Sequence, residues 1–170
     1  FDFPELGPLD RKDARTALAG PVESQGVRFT EGALEEIFRV TQGYPFFLQQ
    51  WGHDAWNLAD GSPIDRAAIR AATAHAMRKL DEGFFRVRFD RLTPREKEYL
   101  RAMAELGPGA LRSGDIADVL GVKVQSVAPL RSALIKRGMI YSPAHGDTAF
   151  TVPLFDEYLK RAMPLARRRR

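Results

Sequence analysis

Between Thr93 and Met163 the chain runs through three helical stretches, each closed by a glycine, and then two short strand-like stretches across a turn, an order that few small folds accommodate. The first helix opens at Thr93-Pro94-Arg95-Glu96. Here a threonine can accept the amide three residues on, a proline suits the first helical position, and a glutamate can answer back to the cap. It carries Tyr99, Leu100, Met103, Ala104 and Leu106 inward and stops at Gly107-Pro108-Gly109. Ser113 is the expected cap of a short second helix with Ile116, Ala117, Val119 and Leu120 facing the core, ended by Gly121. After Gly121-Val122-Lys123 a third helix is expected from Gln125 or Ser126 to Arg137, burying Val127, Leu130, Leu134 and Ile135. That late start keeps Pro129 in the first turn, because deeper in a helix proline removes a hydrogen bond and clashes with the preceding turn. Met139-Ile140-Tyr141 and Ala149-Phe150-Thr151-Val152 read as two strands, and a last helix follows Pro153 with Leu154, Phe155, Tyr158, Leu159 and Met163 on one face. Helix, helix, turn, helix, hairpin is the order of a winged helix-turn-helix, spanning 93–163.

Upstream, residues 1–82 carry helix signals and no strand signals. Asp10 caps a helix that Gly20-Pro21 is expected to end, and Thr30 caps a second with Ala33, Leu34, Ile37 and Phe38 at helical spacing up to Gly43. Pro45 opens a third that passes through Phe47, Trp51 and Trp56, and a fourth follows Ser62-Pro63 with Ile64, Ile69, Ala72, Ala76 and Leu80 on one face. Phe84-Phe85-Arg86-Val87-Arg88-Phe89 alternates apolar and basic residues as an extended linker would, so 83–92 is the expected join. The fold class expected is mainly α, a four-helix bundle followed by a winged helix-turn-helix with a small β-hairpin wing.

Composition excludes more than it selects. A chain of 170 residues with 44% hydrophobic residues can bury an ordinary core, or two small ones. No run of about 18 apolar residues suggests a membrane span, and Phe1-Asp2-Phe3-Pro4 lacks the parts of a signal peptide, so a soluble cytoplasmic chain without membrane contact is expected. The absence of Cys removes disulfides, thiolate zinc sites and cysteine nucleophiles together. His53, His75 and His145 stand far apart without a companion pattern of carboxylates, so no metal site is expected. The sequence has no Gly-x-x-x-x-Gly-Lys-Ser/Thr loop and no acidic strand to hold magnesium. It therefore nominates no catalytic residue, no cofactor within this chain and no phosphoryl-transfer chemistry. Phe1 in place of Met leaves room for an upstream segment.

Charge points to the second half. Residues 1–82 carry 9 Lys/Arg against 13 Asp/Glu, and residues 83–170 carry 17 against 9. Half of that basic excess is Arg167 to Arg170, in a tail over 164–170 expected to be disordered. In a helix-turn-helix the last helix usually enters the major groove while nearby cations touch phosphate. Candidates for contact with DNA or a protein partner are Lys123, Gln125, Ser126, Arg131, Ser132, Lys136, Arg137 and, on the wing, His145. The plain alternative is an ordinary solvated face, and winged helices also serve as protein docking modules.

Two further segments carry a family resemblance. Gly43-Tyr44-Pro45-Phe46-Phe47-Leu48 resembles the Gly-x-Pro-x-x-Leu element in the helical lid of AAA+ and STAND-type ATPases. Leu130 to Tyr141 with Ala149 to Phe155 is similar to the winged-helix end of bacterial and archaeal ATPases related to the origin-recognition proteins, and Phe1 to Leu9 to the segment leading into such a lid. The resemblance implies that 1–82 is a lid and that Gly43, Tyr44 and Pro45 face a nucleotide, with Tyr44 stacking on it. It also implies an ATPase core upstream in the same polypeptide, holding ATP and Mg. Many such lids place an arginine just after the turn, where this chain has Phe46. The function implied is coupling of nucleotide state to a winged helix that contacts DNA or a partner. The alternatives are a protein-interaction or autoinhibitory winged-helix module without DNA binding, and a free-standing transcription regulator.

Overall fold

The computed structural model describes residues 7–164. The lead-in segment Phe1 to Leu6 and the basic tail beyond Pro164 lie outside the described residues. The protein is mainly helical with a small three-stranded antiparallel sheet, and it divides into two compact units, Phe1–Leu80 and Asp81–Arg170.

The first unit is a helical bundle. Helix α1 (Arg11–Glu23) is capped by the Asp10 carboxylate, which accepts from the Asp13 amide at 2.8 Å. Gly20-Pro21 does not end it. The helix runs on to Glu23 because the extra turn buries Val22, and that burial outweighs one hydrogen bond missing at an exposed proline. Thr30 caps α2 (Glu31–Thr41), and Pro45 takes the first position of α3 (Pro45–Leu58). Helix α4 (Arg66–Lys79) starts two residues later than its apolar pattern suggests. Asp65 caps it, so Ile64 lies ahead of the helix, 2% exposed and bridged in parallel to Phe29. Ile37, Phe47, Leu48, Trp51 and Ile69 form the core, and the Trp51 indole donates to Thr73 Oγ1 at 3.0 Å. Trp56, five residues on, points elsewhere and is 36% exposed. Five helical steps rotate a side chain by about 140° from its predecessor.

A buried carboxylate joins α3 to α4. Asp54 is 1% exposed and accepts from Lys79 Nζ at 2.7 Å and Gln50 Nε2 at 2.8 Å, with His53 Nδ1 at 3.3 Å. Burial by itself would push its pKa up, but these partners outweigh burial and hold it below the ordinary carboxylate value. Its contribution to stability is therefore present above the unfolded carboxylate value of about 4 and is lost as pH falls through the lower folded value. Glu36, hydrogen-bonded to Arg39, is lowered too and acts in the same direction. Asp54→Asn is expected to narrow, without abolishing, the fall in urea midpoint between pH 6 and pH 3. An unchanged fall would mean that Asp54 titrates alike in both states.

In the second unit the stretch 83–92 is not extended. A π-helical turn, Leu80–Phe85, leads into α5 (Arg86–Asp90). Phe85 and Phe89, one helical turn apart, both meet Tyr158, at 5.3 and 5.8 Å between ring centroids, while Val87 between them is 48% exposed. The alternation in the sequence is thus a helix face, stabilised further by the Arg88 guanidinium 3.6 Å over the Phe84 ring. Helix α6 (Pro94–Leu106) begins with the full capping box of Thr93 and Glu96. Leu106 at its end is 40% exposed.

A strand absent from the sequence reading, β1 (Leu111–Arg112), precedes α7 (Ser113–Leu120). Arg112 holds the cap position, and Ser113 is the first helical residue. Helix α8 (Val124–Lys136) starts at Val124, which puts Pro129 in its second turn; the ring is exposed there, and the helix continues. Leu130 and Ile135 are half-buried, so Val127 and Leu134 carry the inward face. Strands β2 (Ile140–Tyr141) and β3 (Asp147–Phe150) pair antiparallel with Ile140 opposite Phe150, and β3 also pairs with β1, giving the order β1-β3-β2. Helix α9 (Phe155–Ala162) closes the unit against α6, where Arg101 Nε donates to the Met163 carbonyl at 2.8 Å. This is a winged-helix arrangement whose wing sheet has one more strand than a hairpin. Among the described residues, no helix is long and apolar enough to cross a membrane.

Candidate functional site

The α2–α3 turn is built by the backbone. Gln42 ends α2 in the left-handed region at φ 52°, Gly43 follows at φ 74°, and the Tyr44 amide returns to the Thr41 carbonyl at 3.0 Å. Pro45, lacking an N–H, then starts α3. Leu9 lies across this corner. Its amide donates to the Gly43 carbonyl at 2.9 Å, and its own carbonyl is so close that a Cβ on Gly43 would stand 2.3 Å from the oxygen. Gly43 is buried and Tyr44 half-buried, with the Tyr44 ring 4.7 Å from that of Phe47, while Phe46 is 47% exposed. The corner offers backbone and aromatic surface and no charged group of its own. Between α1 and α2 an open cavity of about 350 Å³ has Ala14, Leu18 and Leu34 as its apolar floor. The exposed ion pairs Arg11–Glu35 and Arg15–Glu31 join the two helices at its rim.

The contact residues nominated for the winged helix separate into two groups. Lys123 at the cap of α8, Gln125, Ser126, Ser132 and Lys136 are exposed, as is His145 on the wing. Arg131 is half-buried and Arg137 exposed, and both are already engaged by other groups of the fold. Arg131 Nε donates to Thr148 Oγ1 at 2.8 Å, and its Nη2 donates to Ser142 Oγ at 2.7 Å and to the Asp147 carbonyl at 3.0 Å. It ties α8 to β3 and to the turn that follows β2. Beneath it the Tyr99 hydroxyl is fully buried with no well-formed hydrogen bond; burial pushes its pKa up against a smaller pull from Thr148 and Arg131. Arg137 Nε lies 3.2 Å from Glu96 Oε1 and its Nη1 donates to the Arg91 carbonyl at 2.9 Å, fixing the end of α8 to the start of α6.

Sequence reasoning misses the Glu96–Arg137 and Arg131–Thr148 contacts, which join residues 41 and 17 apart. It also misses the apolar character of the exposed face. Val119 is 46%, Val122 45% and Val124 44% exposed around the turn from α7 to α8. Val119 is expected inside from its spacing, but α7 is only eight residues long and its inward face is filled by Ile116 and Ala117. Among the described residues no group of three His, Cys, Asp or Glu is placed to hold a metal ion.

Known structures bear on this arrangement directly. The Walker-type ATPase Paby2304 of Pyrococcus abyssi aligns over 90% of this chain with a TM-score of 0.73 at 19% identity. The fold is shared with part of a Walker-type ATPase. This chain spans 42% of the length of that one. Two structures of Thermotoga maritima RuvB, one a lysine-to-arginine mutant and the other the Holliday junction branch migration motor, align over 85% of this chain and 47% of theirs. Their identities are 15% and 17% and their TM-scores 0.43 and 0.41, too low to carry an argument. A family model described as a domain of unknown function (DUF8462) matches residues 82–159. No curated protein matches.

Proposed function

We propose that this chain is the lid and winged-helix portion of an AAA+ or STAND-like ATPase related to the origin-recognition proteins. In this reading nucleotide state, felt at Gly43 to Leu48, is coupled to the position of a winged helix that contacts DNA or a protein partner. The observation that supports it most is the likeness in fold to part of a Walker-type ATPase along 90% of the chain. A corner held by Leu9 on one side and packed against α3 on the other is suited to transmit a differential contact, which any ligand-driven movement requires. ATP and Mg would be held by a core encoded ahead of Phe1, and Tyr44 would stack on the base.

The test is the upstream reading frame, followed by kinetics on the protein it encodes. A phosphate loop in frame ahead of Phe1, together with a rise of about threefold or more in KM for ATP on Tyr44→Ala, supports the reading. A start codon immediately before Phe1 sinks it.

A protein-docking winged helix is favoured over a DNA-binding one by a specific observation: Arg131 is half-buried in hydrogen bonds to the wing, and Arg137, though exposed, is paired with Glu96 and the Arg91 carbonyl. If DNA is bound, the Lys123→Ala/Lys136→Ala double variant should lower the slope of log K against log salt by about 2. No binding of duplex DNA at low salt leaves protein docking in front.

A further inference from the structure

Helix α4 carries no carboxylate from Arg66 to Lys79, although the stretch it belongs to is acidic, with 9 Lys/Arg against 13 Asp/Glu over residues 1–82. Two of its arginines meet a third, from α2, around one buried carboxylate. Glu36, 8% exposed, accepts from Arg39 Nε at 3.2 Å and Nη2 at 2.7 Å, and Arg70 Nε lies 3.9 Å from it. Arg66 reaches the same seam between α2 and α4, donating from Nε to the Gly32 carbonyl at 3.2 Å. The hydrogen bonds from Arg39, opposed by burial, and the charges of Arg39, Arg70 and Arg66 hold Glu36 below the ordinary carboxylate value, so it is ionised at neutral pH. Three exposed guanidiniums therefore share one negative charge. The nearby carboxylates are engaged elsewhere. Glu31 and Glu35 pair with Arg15 and Arg11 of α1, and Asp65 accepts from the Ala68 amide at 2.9 Å as the cap of α4.

We infer that this arginine cluster docks an acidic segment of a partner polypeptide, whose Asp and Glu side chains take the N–H donors that Glu36 leaves over. Arg39 gives two of its five donors to Glu36, Arg66 gives one to Gly32, and Arg70 makes no hydrogen bond to the carboxylate it faces. A guanidinium fork matches a carboxylate two donors at a time, and anchorage of Arg39 and Arg66 before binding lowers the ordering cost. An exposed single ion pair is worth little, so the affinity must come from several carboxylates bound together. Charge also selects a short segment over nucleic acid. A duplex carries phosphate along its whole length and would bring it over the acidic remainder of residues 1–82, whereas a segment lays its charge on the cluster alone. The inference stands apart from the proposed ATPase core, since the upstream reading frame decides that reading and the titration below decides this one.

The test uses the whole chain labelled with nitrogen-15 and two peptides of about 12 residues, one with four consecutive glutamates at its centre and the other with glutamines in their place. Shifts at the amides of Gly32, Glu36, Arg39, Arg66 and Arg70 are expected with the glutamate peptide alone. Arg70→Glu should weaken its affinity by about fivefold or more. Arg78→Glu changes the net charge equally from outside the cluster on the same helix, and should stay within about twofold. Both arginines are exposed, and an unchanged spectrum elsewhere shows that each variant is folded. Equal binding of both peptides, no shift at millimolar peptide, equal weakening by the two variants, or tighter engagement of the same amides by duplex DNA overturns the inference.

Discussion

Gly43→Ala is expected to destabilise the first unit by more than about 3 kcal/mol, read as a lower urea midpoint by tryptophan fluorescence. Both tryptophans, Trp51 and Trp56, belong to that unit, so the signal reports it alone. Two costs add. A side chain at φ 74° costs about 1–2 kcal/mol in the left-handed region. The new Cβ would also stand 2.3 Å from the Leu9 carbonyl oxygen and 3.2 Å from the Phe38 ring, and the first of these is backbone that cannot rotate away. Gly26 supplies the control, since it has nearly the same conformation, φ 73°, with nothing within 4 Å of its Cβ. Gly26→Ala should therefore cost only about 1 kcal/mol. If the two variants lose the same amount, Leu9 is not fixed over the corner and the corner cannot transmit a contact made there.

Arg131→Met is expected to destabilise the second unit by about 2–3 kcal/mol, whereas Lys136→Met on the exposed side of the same helix stays within about 0.5 kcal/mol. The arginine makes three hydrogen bonds, two to β3 and one to the turn after β2, and its loss leaves the Thr148 hydroxyl, fully buried, without its charged donor. Amide exchange should quicken at Thr148 and Ala149. An Arg131 variant that lost DNA binding would therefore speak for a damaged wing before it spoke for a lost base contact. Unchanged stability with DNA binding abolished would restore Arg131 to the base-reading role that its place on the helix suggests.

These two residues also show what makes the sequence legible. Gly43 stands out because left-handed backbone between two helices leaves a local mark, a glycine soon followed by proline, and the same holds for the Thr93–Glu96 box and for Gly121. Arg131 falls on the expected helix, but its hydrogen bonds to Thr148, Ser142 and Asp147 do not show in the sequence, because a helical pattern gives a side chain's direction and not its partner. The linker misleads for a related reason. Alternation over six residues fits both periods, and only the packing of Phe85 and Phe89 on Tyr158, some seventy residues on, decides for the helix. Pro21 and Pro129 look like boundaries on local cost alone, yet both helices run through them.

Caps, glycines and apolar spacing, all interactions within a few residues, determined the order of helices, the winged-helix arrangement and the corner at Gly43. Tertiary structure alone decided which charges remain free to meet a partner. Glu96 and Thr148 lie far along the chain from the arginines they bind, and only the folded chain brings them within reach. What that leaves exposed on the winged helix is Lys123 and Lys136, beside Val119, Val122 and Val124 around the α7–α8 turn.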